Sequence, residues 1–331
     1  MFKGILGIIG IALWWTLTDM RANAVEPITP QDQPSWKIQR AELLAEWQKF
    51  LGEFPTERVP LNPVYGAVEE LPAYTRRFVS YQIEPGVRED AVLIIPRSLP
   101  IKAAAVIVFH QTVKSHYGQP AGYDRAEPDL MMGAHLAERG YVVVCPRCFI
   151  FDDGADFLGN VAKMKARHAN WRGMTRMTWD GIRAVDFVET LPSVDRTRIG
   201  VIGFSLGAKE ALYVAAFDER VCAAVSCEGG VGMALSNWHD TWYLGPEIRA
   251  PGFARDHHEL LALVAPRNFL LIAGGKADGV QSLPFLDAAR PVFSILNAAA
   301  NLRFFQHAGG HKYTPAAREA AEAFLKEKFA N

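Results

Sequence analysis

The sequence predicts an α/β fold with a mostly parallel sheet and helices on both of its faces. Three observations predict it. Short runs that are apolar throughout recur at residues 104–109, 141–144, 199–202, 221–225 and 269–273, the pattern of strands covered on both sides. Segments with apolar residues at helical spacing lie between them, and parallel neighbours need such crossovers. Half of the 331 residues are apolar and 21% are charged, at a formal net charge of −1, so the chain can bury a large core. That composition excludes intrinsic disorder and leaves no basic excess for a nucleic acid.

The elements follow in chain order. Residues 1–24 read as a signal peptide: Lys3, then an uncharged run over 4–17, then Ala22-Asn23-Ala24 as an A-x-A cleavage pattern. The run is shorter than the ~20 residues a membrane span requires, although a retained N-terminal anchor is the alternative. No later run is long enough to span, so an exported protein, periplasmic or secreted, is expected. Residues 25–73, Pro-rich around a helix at about 35–51, read as an extension packed on the main domain. Residues 74–331 read as the main domain, the one in which any catalytic site is expected. It opens with an antiparallel edge pair at 74–83 and 91–95 and ends with a strand at Leu302–Gln306. Helices are expected around Ile182, Val185 and Val188, at Leu206–Phe217, at 284–296 with a break at Pro291, and at Pro315–Phe329. Residues 229–266, with Trp238, Trp242, Tyr243, Pro246 and Pro251 in no simple period, read as a cap or loop insertion over a site.

Cys145, Cys148, Cys222 and Cys227 are an even number in a compartment that permits disulfides. The C-x-x-C pair at 145 and 148 ends a strand rather than opening a helix, where redox chemistry wants it. Buried thiols or one structural disulfide are the expectation, and no metal site is implied.

The chemistry sits at strand ends. Gly203-Phe204-Ser205-Leu206-Gly207 has the G-x-S-x-G pattern, with an apolar strand before it and a helix after it, the context a nucleophile on a tight turn requires. Ser205 is the candidate nucleophile. Its hydroxyl needs a base, and His311, in Gly309-Gly310-His311 after the last strand, follows it in the expected chain order. Asp278, in the loop after the strand at 269–273, is the candidate acid, with Glu228 after 221–227 as the alternative. The backbone N–H groups of Leu206 and Gln111 are candidate oxyanion donors, with Thr112 next to Gln111. His110 is a candidate for shaping that loop and for contacting substrate. Trp238, Trp242 and Tyr243 either contact substrate or pack the cap.

These residues resemble the α/β-hydrolase family, and among its members the exported bacterial acetyl xylan esterases and dienelactone hydrolases. The resemblance rests on 199–207, on Ala265-Pro266-Arg267 and on Gly309-Gly-His311. It implies an eight-stranded, mostly parallel sheet and a triad on Ser205, Asp278 and His311. Lys209 and Glu228 are similar to features of the glucuronoyl esterases, but Leu206 stands where those enzymes place an arginine, and the family's usual His-Gly is His110-Gln111. The implied function is a serine hydrolase that cleaves small-molecule or carbohydrate esters through an acyl-enzyme, without a cofactor. An aminopeptidase-type serine peptidase and a non-catalytic binding protein are the alternatives.

Overall fold

A computed structural model describes residues 25–154 and 156–330. The expected signal peptide at 1–24 lies outside the described residues. In chain order the helices and strands are α1 (Gln33–Leu51), β1 (Val64–Tyr65), β2 (Glu69–Glu70), β3 (Tyr74–Glu84), β4 (Val87–Pro96), β5 (Ala103–Phe109), α2 (Met132–Glu138), β6 (Val142–Pro146), α3 (Phe157–Arg167), α4 (Gly173–Glu189), β7 (Val194–Phe204), α5 (Leu206–Phe217), β8 (Val221–Cys227), α6 (Thr241–Leu244), α7 (His258–Val264), β9 (Asn268–Ala273), α8 (Leu283–Ile295), β10 (Leu302–Gln306) and α9 (Pro315–Phe329).

The strands described form one sheet in the order β1-β3-β4-β6-β5-β7-β8-β9-β10, with β2 also paired to β3. From β6 to β10 every neighbour is parallel, while β1 to β4 pair antiparallel at one edge and β4 meets β6 antiparallel. Successive side chains of a strand point to opposite faces. Val106 and Val108 therefore enter one apolar core with α2 and α9, and Ile107 enters the other with α4, α5, α7 and α8. A strand that feeds two cores has no polar face, which is why these runs are apolar throughout.

The chain runs from β5 outward to β6 and then returns to place β7 on the other side of β5. Such a reversal opens a crevice at the carboxyl ends of the two strands, the usual ligand position in open α/β sheets. Those ends carry His110 and Ser205.

Several elements differ from expectation. Eight long strands match the expected ones, and β1 and β2 add two-residue pairings at the exposed edge that no alternation marks. The helix expected to break at Pro291 continues through it, because the buried row Phe285, Leu286, Ala289, Val292 and Phe293 holds both halves on the sheet. The insertion contains α7, whose residues Leu260 to Val264 are all buried and so show no polar face. The extension places Trp36, Leu43, Trp47 and Leu51 of α1 in the larger core, and Trp47 Nε1 donates to Glu259 Oε2 of α7 at 2.6 Å. All four cysteines are free thiols; Cys145, Cys148 and Cys227 are buried and Cys222 half-buried. No helix among the described residues is long and apolar enough to cross a membrane.

Candidate active site

Ser205 stands between β7 and α5 at φ 56 and ψ −112, a backbone state that side chains other than glycine adopt only under constraint. The constraint is visible. Ser205 N–H donates to Cys227 O of β8 at 2.9 Å, and its carbonyl accepts the Ala208 and Lys209 N–H groups in the first turn of α5. The turn is tight enough that a Cβ on Gly203 would lie 2.1 Å from Gly207 C and O. One on Gly207 would lie 2.2 Å from Phe109 O. Only glycine at both positions lets helix and strand approach this closely.

His311 reaches Ser205 from a loop stitched to its neighbour. His307 N–H donates to Ala273 O at 2.9 Å and Gly310 N–H to Gly274 O at 3.0 Å, so the turn after β10 rides on the turn after β9. From there His311 Nε2 lies 2.9 Å from Ser205 Oγ. Its ring leans on Phe204 with centroids 5.1 Å apart, while the outer part of the side chain remains open to solvent.

The other ring nitrogen, Nδ1, meets Glu228 Oε2 at 3.0 Å. This corrects the expectation for Asp278. Glu228 follows β8 directly, is fully buried, and has a positive φ of 55, as Ser205 does. Its N–H donates to Ile272 O at 3.0 Å, which ties it to β9. Its carboxylate also accepts backbone N–H groups from Gly274, from Ala277 at 2.9 Å and from Asp278 at 3.3 Å. Burial pushes this carboxyl's pKa up, but the bonds from His311 and from the three backbone N–H groups outweigh it and hold it below the ordinary glutamate value. An anion is therefore fixed behind the imidazole.

Asp278 is fully buried, and its acceptors are occupied elsewhere. Oδ2 takes the Gly230 N–H and Oδ1 the Val231 N–H, each at 2.8 Å, and Oδ1 also takes the Ser282 hydroxyl at 2.9 Å. Burial raises its pKa, only partly offset by those donors. Position after a strand and the family resemblance were the sequence signals for Asp278. Glu228-Gly229-Gly230 held a competing signal, a carboxylate on a turn tight enough to need glycines, and the tertiary pairing decides for it.

The remaining candidates separate into packing and site. Leu206 N–H heads α5 at the serine, where a helix's first amides have no partner within the helix. Gln111 follows His110 at the end of β5. His110 is buried, with Nε2 accepting from Cys148 N–H at 3.0 Å and Nδ1 lying 2.6 Å from Gln111 O. Those two bonds assign its proton to Nδ1, and burial lowers its pKa to about 4. A neutral ring thus ties the Gln111 loop to the segment after β6, and a substrate contact for His110 is not what the structure provides. Trp238 and Tyr243 are likewise buried, and Trp238 Nε1 donates to Gly230 O at 2.8 Å. Only Trp242 keeps part of its ring open, stacked on Tyr243 at 3.8 Å and edge-on to Phe157 at 5.1 Å. Lys209 lies beneath the same turn, donating to Gly229 O and to Ser236 Oγ at 3.0 Å, with Nζ 4.7 Å from the Trp238 ring centre. Burial lowers its pKa to about 8. Among the described residues no cluster of His, Cys, Asp and Glu has the arrangement of a metal site.

The sheet, its reversal at β5 and the serine on its elbow are those of the α/β-hydrolase fold. The model of the dienelactone hydrolase family matches residues 90–250. The chain is 26% identical over 311 residues to "Putative hydrolase YtaP" of Bacillus subtilis (strain 168), covering 87% of this chain and 99% of that one. It is 28% identical over 171 residues to "4-O-methyl-glucuronoyl methylesterase 1" of Sodiomyces alcalophilus, which covers 42% of this chain and 34% of that protein's length. Among solved structures, "Glucuronoyl Esterase from Solibacter usitatus" superposes with a TM-score of 0.73 at 21% identity, over 93% of this chain and 97% of that one.

Proposed function

We propose that the protein hydrolyses carboxylic esters of carbohydrates through an acyl-enzyme on Ser205. One observation carries the reading: Ser205 Oγ, the His311 ring and the Glu228 carboxylate lie in line at 2.9 and 3.0 Å. Ser205 Oγ attacks the ester carbonyl while His311 Nε2 takes its proton. Glu228 holds Nδ1–H and stabilises the imidazolium that forms. The N–H of Leu206 and an N–H from the Gln111–Thr112 segment receive the oxyanion, each worth about 10²-fold or more in rate. His311 returns the proton to the departing alcohol. Water then adds to the acyl carbon with His311 as base, and the acid leaves Ser205 free. The similarity to glucuronoyl esterases supports a carbohydrate substrate, and the first 24 residues support export. The substrate contacts proposed are Trp242 and the half-open surface beside it.

Two measurements test this reading. A fluorophosphonate probe should label wild type at Ser205 and leave folded Ser205→Ala unlabelled; an unlabelled wild type refutes the mechanism. A panel of acetylated xylo-oligosaccharides, glucuronate methyl esters, longer acyl esters and aminoacyl amides should show turnover of a carbohydrate ester. Preference for the amides would move the protein to the peptidases.

A further inference from the structure

Two buried carboxylates lie side by side at the base of the site, and each binds the other's loop. The Glu228 carboxylate, on the turn after β8, accepts the N–H groups of Gly274, Ala277 and Asp278 on the turn after β9. The Asp278 carboxylate, on the turn after β9, accepts the N–H groups of Gly230 and Val231 on the turn after β8. We propose that this exchange is a clasp in which Asp278 is the positioning residue for Glu228, so that Asp278 sets the aim of the carboxylate that holds His311. The proposal rests on the reading of Glu228 as the acid of a serine hydrolase.

Physical reasons favour positioning over generic packing. Glu228 is held at φ 55, a conformation it keeps only while its surroundings impose it. What imposes it on the C-terminal side is the pair of bonds that the Gly230 and Val231 N–H groups, two and three residues on, donate to Asp278, with Lys209 gripping Gly229 O from below. Without them the turn after β8 is free to relax, and the Glu228 side chain moves with its backbone. Ser282 Oγ completes the device: it accepts the Gly279 N–H at 3.2 Å and donates to Asp278 Oδ1 at 2.9 Å, which fixes the carboxylate plane. A carboxylate is required because both of its oxygens face backbone donors, and a carboxamide would turn N–H groups toward one of them.

The test is a cycle of Asp278→Asn and Glu228→Gln, singly and together, with Ser282→Ala as a milder lesion. It is read by steady-state hydrolysis of p-nitrophenyl acetate and by the low-field proton resonance of the His311–Glu228 hydrogen bond. Asp278→Asn should lower kcat about 10²-fold, the typical penalty of a misplaced group, with KM changed by less than about 3-fold. It should also broaden or remove the low-field proton. In the Glu228→Gln background the same change should cost no more than about 3-fold, because there is no aimed carboxylate left to lose. Ser282→Ala should lower kcat several-fold in wild type and not in Glu228→Gln, which keeps the test open if Asp278→Asn does not fold. Independent, multiplying effects overturn the clasp, as does a folded Asp278→Asn with wild-type kcat. A different result, Glu228→Gln near wild type while Asp278→Asn loses about 10⁴, would overturn the acid assignment on which the clasp rests.

Discussion

Glu228→Gln is the most informative single perturbation, and its size can be worked out from the contacts. The carboxylate accepts four hydrogen bonds: Gly274 and Asp278 N–H on Oε1, Ala277 N–H and His311 Nδ1 on Oε2. A carboxamide keeps one acceptor oxygen and turns the other position into a donor. If the NH2 takes the Oε1 position it opposes two backbone donors. If it takes the Oε2 position it opposes Ala277 N–H and forces His311 to accept at Nδ1, which places the proton on Nε2 where Ser205 needs a base. Two backbone donors lose their acceptor in the first case and one in the second, at about 1–3 kcal/mol each, so the fold should weaken by about 1–6 kcal/mol. The wrong tautomer and the lost anion should lower kcat about 10⁴-fold, about 5.5 kcal/mol of barrier. Denaturant unfolding gives the first number and p-nitrophenyl acetate hydrolysis the second. A folded Glu228→Gln within 10-fold of wild-type kcat would refute the reasoning.

Three further outcomes follow from the same structure. Gly207→Ala places a Cβ 2.2 Å from Phe109 O, so α5 must shift off β5; stability should fall by about 1–3 kcal/mol and fluorophosphonate labelling should slow sharply, and wild-type melting and labelling would contradict the tight elbow. Lys209 releases its proton in the folded state near pH 8 but only near pH 10.4 in the unfolded chain, so between these values the unfolded chain holds the extra proton and stability rises with pH. Wild type should therefore gain about 3 kcal/mol relative to Lys209→Met across that window, and parallel pH curves for the two would show that the ammonium carries no burial penalty. Ellman's reagent should reach at most the half-buried Cys222 in native protein and all four thiols in guanidinium, since burial raises the pKa of each. Fewer than four under denaturation would reveal a disulfide.

Much of this architecture could be read from one sequence. The runs at 104–109 and 221–225 are apolar because both of their faces are covered, and that property needs no partner to be seen. Leu206–Phe217 and Pro315–Phe329 were legible to the residue because a strained serine and a Thr-Pro start mark where each helix begins. Helix α7 was not, since a seven-residue helix buried at every position but Glu259 has no polar stripe to mark its period. Trp238 and Tyr243 were ambiguous for the same reason: an aromatic side chain in an irregular loop reads alike whether it faces a ligand or the underside of its own turn.

The sequence by itself determined the chemistry available at Ser205 and the loop from which His311 approaches, because the elbow and the Gly-Gly-His turn are local features that glycine's small size dictates. Tertiary structure alone decided which carboxylate meets the histidine. Glu228 and Asp278 are 50 residues apart and each follows a strand of the same sheet, so chain position ranks them nearly alike. The difference lies in how the turns after β8 and β9 fold over one another. That exchange of hydrogen bonds aims Glu228 at His311 and turns Asp278 back into the turn after β8, a choice made by backbone amides that every residue carries and no sequence pattern displays.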